Sequence, residues 1–163
     1  PMFILGCLLI ITVRSFPCRI AIRTDDHGVS MPDAKPTAIV VDDSRTSRAY
    51  CAAILSGRFD VRAAASGAEF FSLLGDVTPD VVLLDVEMPG LSGYDVIRRF
   101  KLDPANADIP VIFLSAHDGA ENELEGLAPG AVDYPSNHSP PQLILRRTHL
   151  QLVMAAQKNQ LPH

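Results

Sequence analysis

Tryptophan is absent from the 163-residue chain, and cysteine and lysine are both scarce. The cysteines, Cys7, Cys18 and Cys51, are odd in number and scattered. That pattern builds neither a disulfide framework nor a zinc site, and it suits a reducing, cytoplasmic setting. The lysines are Lys35, Lys101 and Lys158 alone. Positive charge is in deficit overall. A formal net charge of −5 removes the electrostatic case for binding nucleic acid through the bulk surface. Long apolar runs are missing too. "MFILGCLLIITV", Met2 to Val13, falls short of the roughly 20 residues a bilayer-spanning helix needs, so membrane association is not expected. No Lys or Arg precedes that run, as a secretory signal would require. There are no internal repeats and no low-complexity tract.

What remains is an ordinary globular composition, 47% hydrophobic and 20% charged, long enough for one domain with a real core. The chain begins with Pro1, and "MPDAKPTAIVVDDS" from Met31 reads like a natural start. Residues 1–35 are therefore expected to be an extension outside the domain, vector-derived, produced by a mis-set start, or disordered. An extra strand or helix packed on the domain and a membrane-directing segment are the competing readings. The domain is expected over residues 36–157, with a short tail at 158–163.

From Thr37 onward, strand-like and helix-like segments alternate. "TAIVVDD" (Thr37–Asp43) is a β-branched apolar run ending in acids, and reads as a buried strand. "SRTSRAYCAAILSG" (Ser44–Gly57) offers a Ser N-cap, apolar positions at Ala49, Ala52, Ala53 and Leu55, and a terminal Gly, so a helix is predicted. "FDVRAA" (Phe59–Ala64) alternates as a half-buried strand does. "SGAEFFSLLG" (Ser66–Gly75) predicts a short helix. "PDVVLLDVEMPG" (Pro79–Gly90) holds an intensely apolar strand closed by Asp85. "SGYDVIRRFKLD" (Ser92–Asp103) is amphipathic, and "IPVIFLSAH" (Ile109–His117) is another buried strand. "ENELEGLA" (Glu121–Ala128) predicts a short acidic helix. "AVDY" (Ala131–Tyr134) predicts a fifth strand. The final helix is expected over Pro140–Gln157, with proline in its first turn.

Five such units, with continuously apolar strands, imply an α/β doubly wound parallel sheet covered on both faces. The flavodoxin-like (βα)5 arrangement, strand order 2-1-3-4-5, is a standard solution. Its ligand site lies at the C-terminal strand ends, where the order reverses between strands 1 and 3. There the sequence puts carboxylates: Asp42 and Asp43 after strand 1, Asp85 after strand 3. Acids so gathered repel one another unless a cation joins them. Mg²⁺ suits oxygen ligands and takes phosphate oxygens as further partners. No His or Cys falls in the cluster, which argues against zinc or copper. Asp85 then becomes a candidate nucleophile toward a phosphoryl donor, and Ser115, at the end of strand 4, a hydroxyl that donates to the transferred group. Taken singly, each piece has a plainer reading. An Asp pair after a strand is more often an N-cap and solvated turn, and a Ser there more often bonds its own backbone. Their common position at one sheet edge carries the functional reading.

The motifs "VVDD", "LLDVEMPGLSGYDV" (Leu83–Val96), "VIFLSA" and "GAVDY" together resemble the receiver domain of bacterial two-component response regulators, over about Pro36 to Leu152. The resemblance implies that Asp85 is the phosphoacceptor. It implies that Asp43 and Asp85 hold Mg²⁺ directly, Asp42 partly through water, and that Glu87 contributes its backbone carbonyl. Ser115 and Tyr134 would be the switch pair. The partner would be a sensor histidine kinase or phosphotransfer protein. A homodimer would form through the face made by helix Glu121–Ala128, strand Ala131–Tyr134 and the last helix. "RRTHLQL" is similar to the end of receivers that precede diguanylate cyclase or HD-GYP phosphodiesterase output domains.

The pattern breaks after "DY". The family has two residues and then a Lys-Pro pair; here Asn137 stands at the lysine position and His138 at that of the proline. Aligning on Ser139–Pro141 instead leaves the loop one residue short, again without lysine. Asn can donate a hydrogen bond but carries no charge, and charge-assisted bonds are roughly twice as strong. An Asn-His bond is expected to be trans, since cis costs about 2.5–4 kcal/mol without proline. Pro135 lacks an N–H and is expected to end the fifth strand early. A phosphoaccepting receiver with weakened switching is the leading reading. A degenerate receiver, acting as a phosphorylation-independent interaction module, is the alternative. A phosphatase of the haloacid dehalogenase type would need a second Asp two residues after Asp85, where Glu87 stands.

Overall fold

A computed structural model describes residues 22–24, 30–32, 34–114, 130–133 and 139–160. Its main sheet has five strands: β1 (Thr37–Val41), β2 (Asp60–Ala64), β3 (Val81–Asp85), β4 (Val111–Leu114) and β5 (Ala131–Asp133). Four helices are described: α1 (Arg45–Leu55), α2 (Gly67–Leu73), α3 (Gly93–Lys101) and α4 (Pro141–Gln160). The strands pair in the order β2-β1-β3-β4-β5, all parallel. This is the flavodoxin-like order expected from the alternation. The predicted helix Glu121–Ala128 lies outside the described residues.

The strand sequences explain why both faces are covered. Side chains alternate across a sheet, so a continuous apolar run feeds two cores. Ile39, Val41, Val82, Leu84, Val111 and Phe113 pack on one side with Phe70 of α2 and Val96, Ile97 and Phe100 of α3. Ala38, Val40, Val81, Leu83, Ile112 and Leu114 pack on the other, against Cys51 and Leu55 of α1 and Ile144 and Leu152 of α4. Phe70 and Phe100 meet edge to face, 5.3 Å between centroids. Full burial of side chains this size contributes about 1.5–3 kcal/mol each.

The structure adds local detail to these expectations. The buried residues of α1 are Cys51 and Leu55, one helical turn apart, while Ala49 and Ala53 are exposed. The i, i+4 pair faces the sheet, and the alanines fall beside and behind it. In β2 only Ala64 is buried. This strand sits at the sheet edge, and Asp60 and Arg62 pair along it at 3.2 Å, as edge strands with outward charges do. The last helix runs on to Gln160, past the expected boundary at 157. Nothing in "KNQ" breaks a helix, and Lys158 pairs with Asp108 at 3.2 Å. Within the expected extension, Ile22–Thr24 pairs antiparallel with Ser30–Pro32, forming a separate two-stranded ladder. Among the described residues no helix is long and apolar enough to cross a membrane.

Candidate phosphoacceptor site

At the C-terminal edge of the sheet, β1 and β3 lie side by side, with Val41 level with Leu84. Asp42 and Asp43 follow the first strand and Asp85 ends the second. Their carboxylates converge, with one oxygen from each lying within 4.8 Å of the others. Asp42 extends the ladder one step past β1, its N–H donating to the Ala64 carbonyl at 3.1 Å. The residue is only 3% exposed, and its Oδ1 accepts the Ser44 N–H at 2.7 Å. Ser44 in turn caps α1, its Oγ accepting from the Ser47 N–H at 3.3 Å. One guanidinium nitrogen of Arg48 donates to the carbonyls of Asp42 (2.6 Å) and Asp43 (2.9 Å). Asp43 is exposed, with its carboxylate at the mouth of the cluster.

The loop after Asp85 is shaped by close approach. The N–H of Gly93 donates to the Val86 carbonyl at 3.0 Å. A Cβ at Gly93 would stand 2.3 Å from the Asp85 carbonyl oxygen, so only glycine lets α3 begin there. Gly90 has φ +82°, which favours glycine. The N–H of Glu87 leans on Asp85 Oδ1 at 3.4 Å.

Electrostatically the cluster favours a cation over its own three charges. Burial first, and then the Asp42 charge, raise the Asp85 carboxyl to about 6. Asp42 is also raised, first by burial; the Ser44 N–H works against that, and Asp43 adds to it. Cys51 is pushed up to about 11 by burial and then by the Asp42 carboxylate, so it is an inert packing thiol. Close, half-desolvated carboxylates with no nitrogen or sulfur in the set are the donor chemistry of a hard divalent cation, and Mg²⁺ fits it.

Sequence reasoning brought Asp42, Asp43 and Asp85 to this place, and the structure gathers them. Glu87 follows in the same loop. Ser115, Tyr134 and Asn137 lie outside the described residues. The resemblance implies that the proline and glycines of "MPGLSG" (Met88–Gly93) shape the loop beside Asp85, and Gly93 does so; Arg48 was not anticipated. The one signal for Arg48 was its place about one turn into the helix that follows the acid pair.

The five-stranded parallel sheet carries an acid cluster at its C-terminal edge, and the chain belongs to the response regulator receiver domain family, matched over residues 38–148. It is 38% identical over 125 residues to a Vibrio cholerae protein named "Probable cyclic di-GMP phosphodiesterase", covering 76% of this chain and 28% of that one. It is 35% identical over 112 residues to the phosphate regulon transcriptional regulatory protein PhoB of Pseudomonas aeruginosa, covering 68% and 49%. The chain thus spans less than half the length of either. Among solved structures, the chemotaxis protein CheY4 of Vibrio cholerae superposes with a TM-score of 0.65 at 25% identity, covering 73% of this chain and 99% of that one.

Proposed function

We propose that the chain accepts a phosphoryl group on Asp85 with Mg²⁺ held by Asp42, Asp43, Asp85 and the Glu87 backbone carbonyl. The convergence of three carboxylates within 4.8 Å at the switch-point edge carries this reading. An Asp85 carboxylate oxygen forms a bond to phosphorus as the donor's P–N or P–O bond breaks, and the electron pair leaves with the donor. The product is an aspartyl phosphate. Mg²⁺, when bound, neutralises charge on the transferred group. The chain's own part is to hold the nucleophile still: Asp85 is fixed by β3 and by the Gly93 contact behind it. Leu114 pairs in register with Asp85 and immediately precedes Ser115 in the chain, which supports Ser115 as the hydroxyl that donates to the phosphoryl group. Tyr134 would follow Ser115 as the switch aromatic. A sensor histidine kinase or phosphotransfer protein in the cytoplasm would be the donor, and no activity beyond self-phosphorylation and its reversal is assigned to the domain.

Acetyl phosphate is expected to label the wild type only with Mg²⁺, and Asp85→Asn is expected to abolish labelling. A wild type that stays unlabelled under saturating donor sinks the proposal. The replacement of the family lysine by Asn137 favours a second reading, an interaction module whose association ignores phosphorylation. Size-exclusion chromatography with beryllofluoride separates them: a monomer-to-dimer shift on adding it rules the second reading out.

A further inference from the structure

We propose that Arg48 is a positioning residue for the acid pocket: its guanidinium clamps the Asp42 and Asp43 carbonyls and thereby holds both carboxylates toward Asp85. This rests on the Mg²⁺ reading above and deepens it. A single nitrogen, Nη1, donates to two successive carbonyls, at 2.6 and 2.9 Å. The two residues whose carbonyls it holds are the same two whose carboxylates meet Asp85 in the cluster. The clamp has a rigid base. Ser44 caps α1, and the Arg48 N–H makes the helix's first bond, to the Ser44 carbonyl at 3.0 Å. The half-buried side chain reaches back along its own helix to the loop that precedes it. A planar guanidinium is suited to this, because its donors sit in a fixed fork and the bonds are charge-assisted.

The alternative is that Arg48 merely adds positive charge near the acids, and the two roles predict opposite signs. A nearby positive charge opposes cation binding, so removing it should tighten Mg²⁺. Removing a clamp that orients ligands should loosen it, and such supporting partners typically account for about 10–100-fold in metal affinity. Calorimetric titration of the full chain with MgCl₂ alone distinguishes them, without any phosphodonor. Arg48→Ala is expected to bind Mg²⁺ about tenfold more weakly than wild type, and Arg48→Lys, which keeps charge and donor, to recover most of the loss. Acetyl phosphate labelling of Arg48→Ala should be slow at limiting Mg²⁺ and return toward wild type at saturation, which a general loss of structure would not allow. Should Arg48→Ala fail to fold by circular dichroism, Arg48→Gln serves in its place, being expected to bind more weakly than Arg48→Lys. Binding by Arg48→Ala or Arg48→Gln equal to or tighter than wild type overturns the clamp alone. A wild type that takes up no Mg²⁺ overturns the clamp and the Mg²⁺ reading together.

Discussion

Asp85 and Gly93 touch through backbone, and that contact sets where the proposed phosphoacceptor stands. The Asp85 carbonyl oxygen would lie 2.3 Å from any Cβ at position 93, with the Val86 Cα at 2.9 Å. Neither is the movable end of a side chain. Gly93→Ala must therefore push α3 away from the end of β3. We expect a loss of about 1–3 kcal/mol, the usual cost of overpacking, together with slower labelling of Asp85. A urea midpoint unchanged from wild type would contradict it. The glycine was visible in "GLSGYD", but its reason was not, because the neighbour it must clear comes from an earlier strand.

Helix α3 is held at its start by a reciprocal cap. Ser92 Oγ accepts from the Asp95 N–H at 3.3 Å, while Asp95 Oδ2 accepts from the Ser92 N–H at 3.3 Å and from its hydroxyl at 2.8 Å. Those bonds, with Arg98 beside them, hold the Asp95 carboxyl below its ordinary range. Ser92→Ala is expected to cost about 1 kcal/mol, read from chemical denaturation; no measurable change would show that the cap is redundant with the core contacts of Val96, Ile97 and Phe100. This cap, and those of α1 and α2 at Ser44 and Ser66, are local chemistry, so the starts of these elements were legible in the sequence. The buried face of α1 was less so: Ala49, Ala52 and Ala53 cannot be ranked against Cys51 and Leu55 until the sheet they face is known.

For the whole molecule, the acid cluster trades stability against readiness for a cation. The Asp85 carboxyl rises from 3.8 to about 6 on folding, mainly through burial. A raised carboxyl stabilises the fold fully below its unfolded value, and that contribution is lost as pH rises through the folded one. The metal-free protein should therefore lose stability between about pH 4 and pH 6 from this group. Mg²⁺ needs the ionised form, so its stabilising effect should grow over the same interval. Thermal melting at about pH 5 and about pH 7.5, with Mg²⁺ and with chelator, checks this. The gap between the two curves is expected to be wider at the higher pH; an equal or narrower gap would mean that Asp85 does not ligate the ion.

The alternation of strands and helices, the two-faced burial of the strands, and the carboxylates at strand ends were all legible along the chain. Each is a matter of side-chain period, turn chemistry and propensity within a short stretch. The distance that brings Asp42 and Asp43 within reach of Asp85 came from the folded chain, because it needs β1 seated beside β3 with Val41 level with Leu84. Chain crossover and the burial of both sheet faces select that neighbour, not any local preference. Arg48's hold on two carbonyls was likewise beyond the sequence, since it depends on which way the backbone turns as it leaves the sheet.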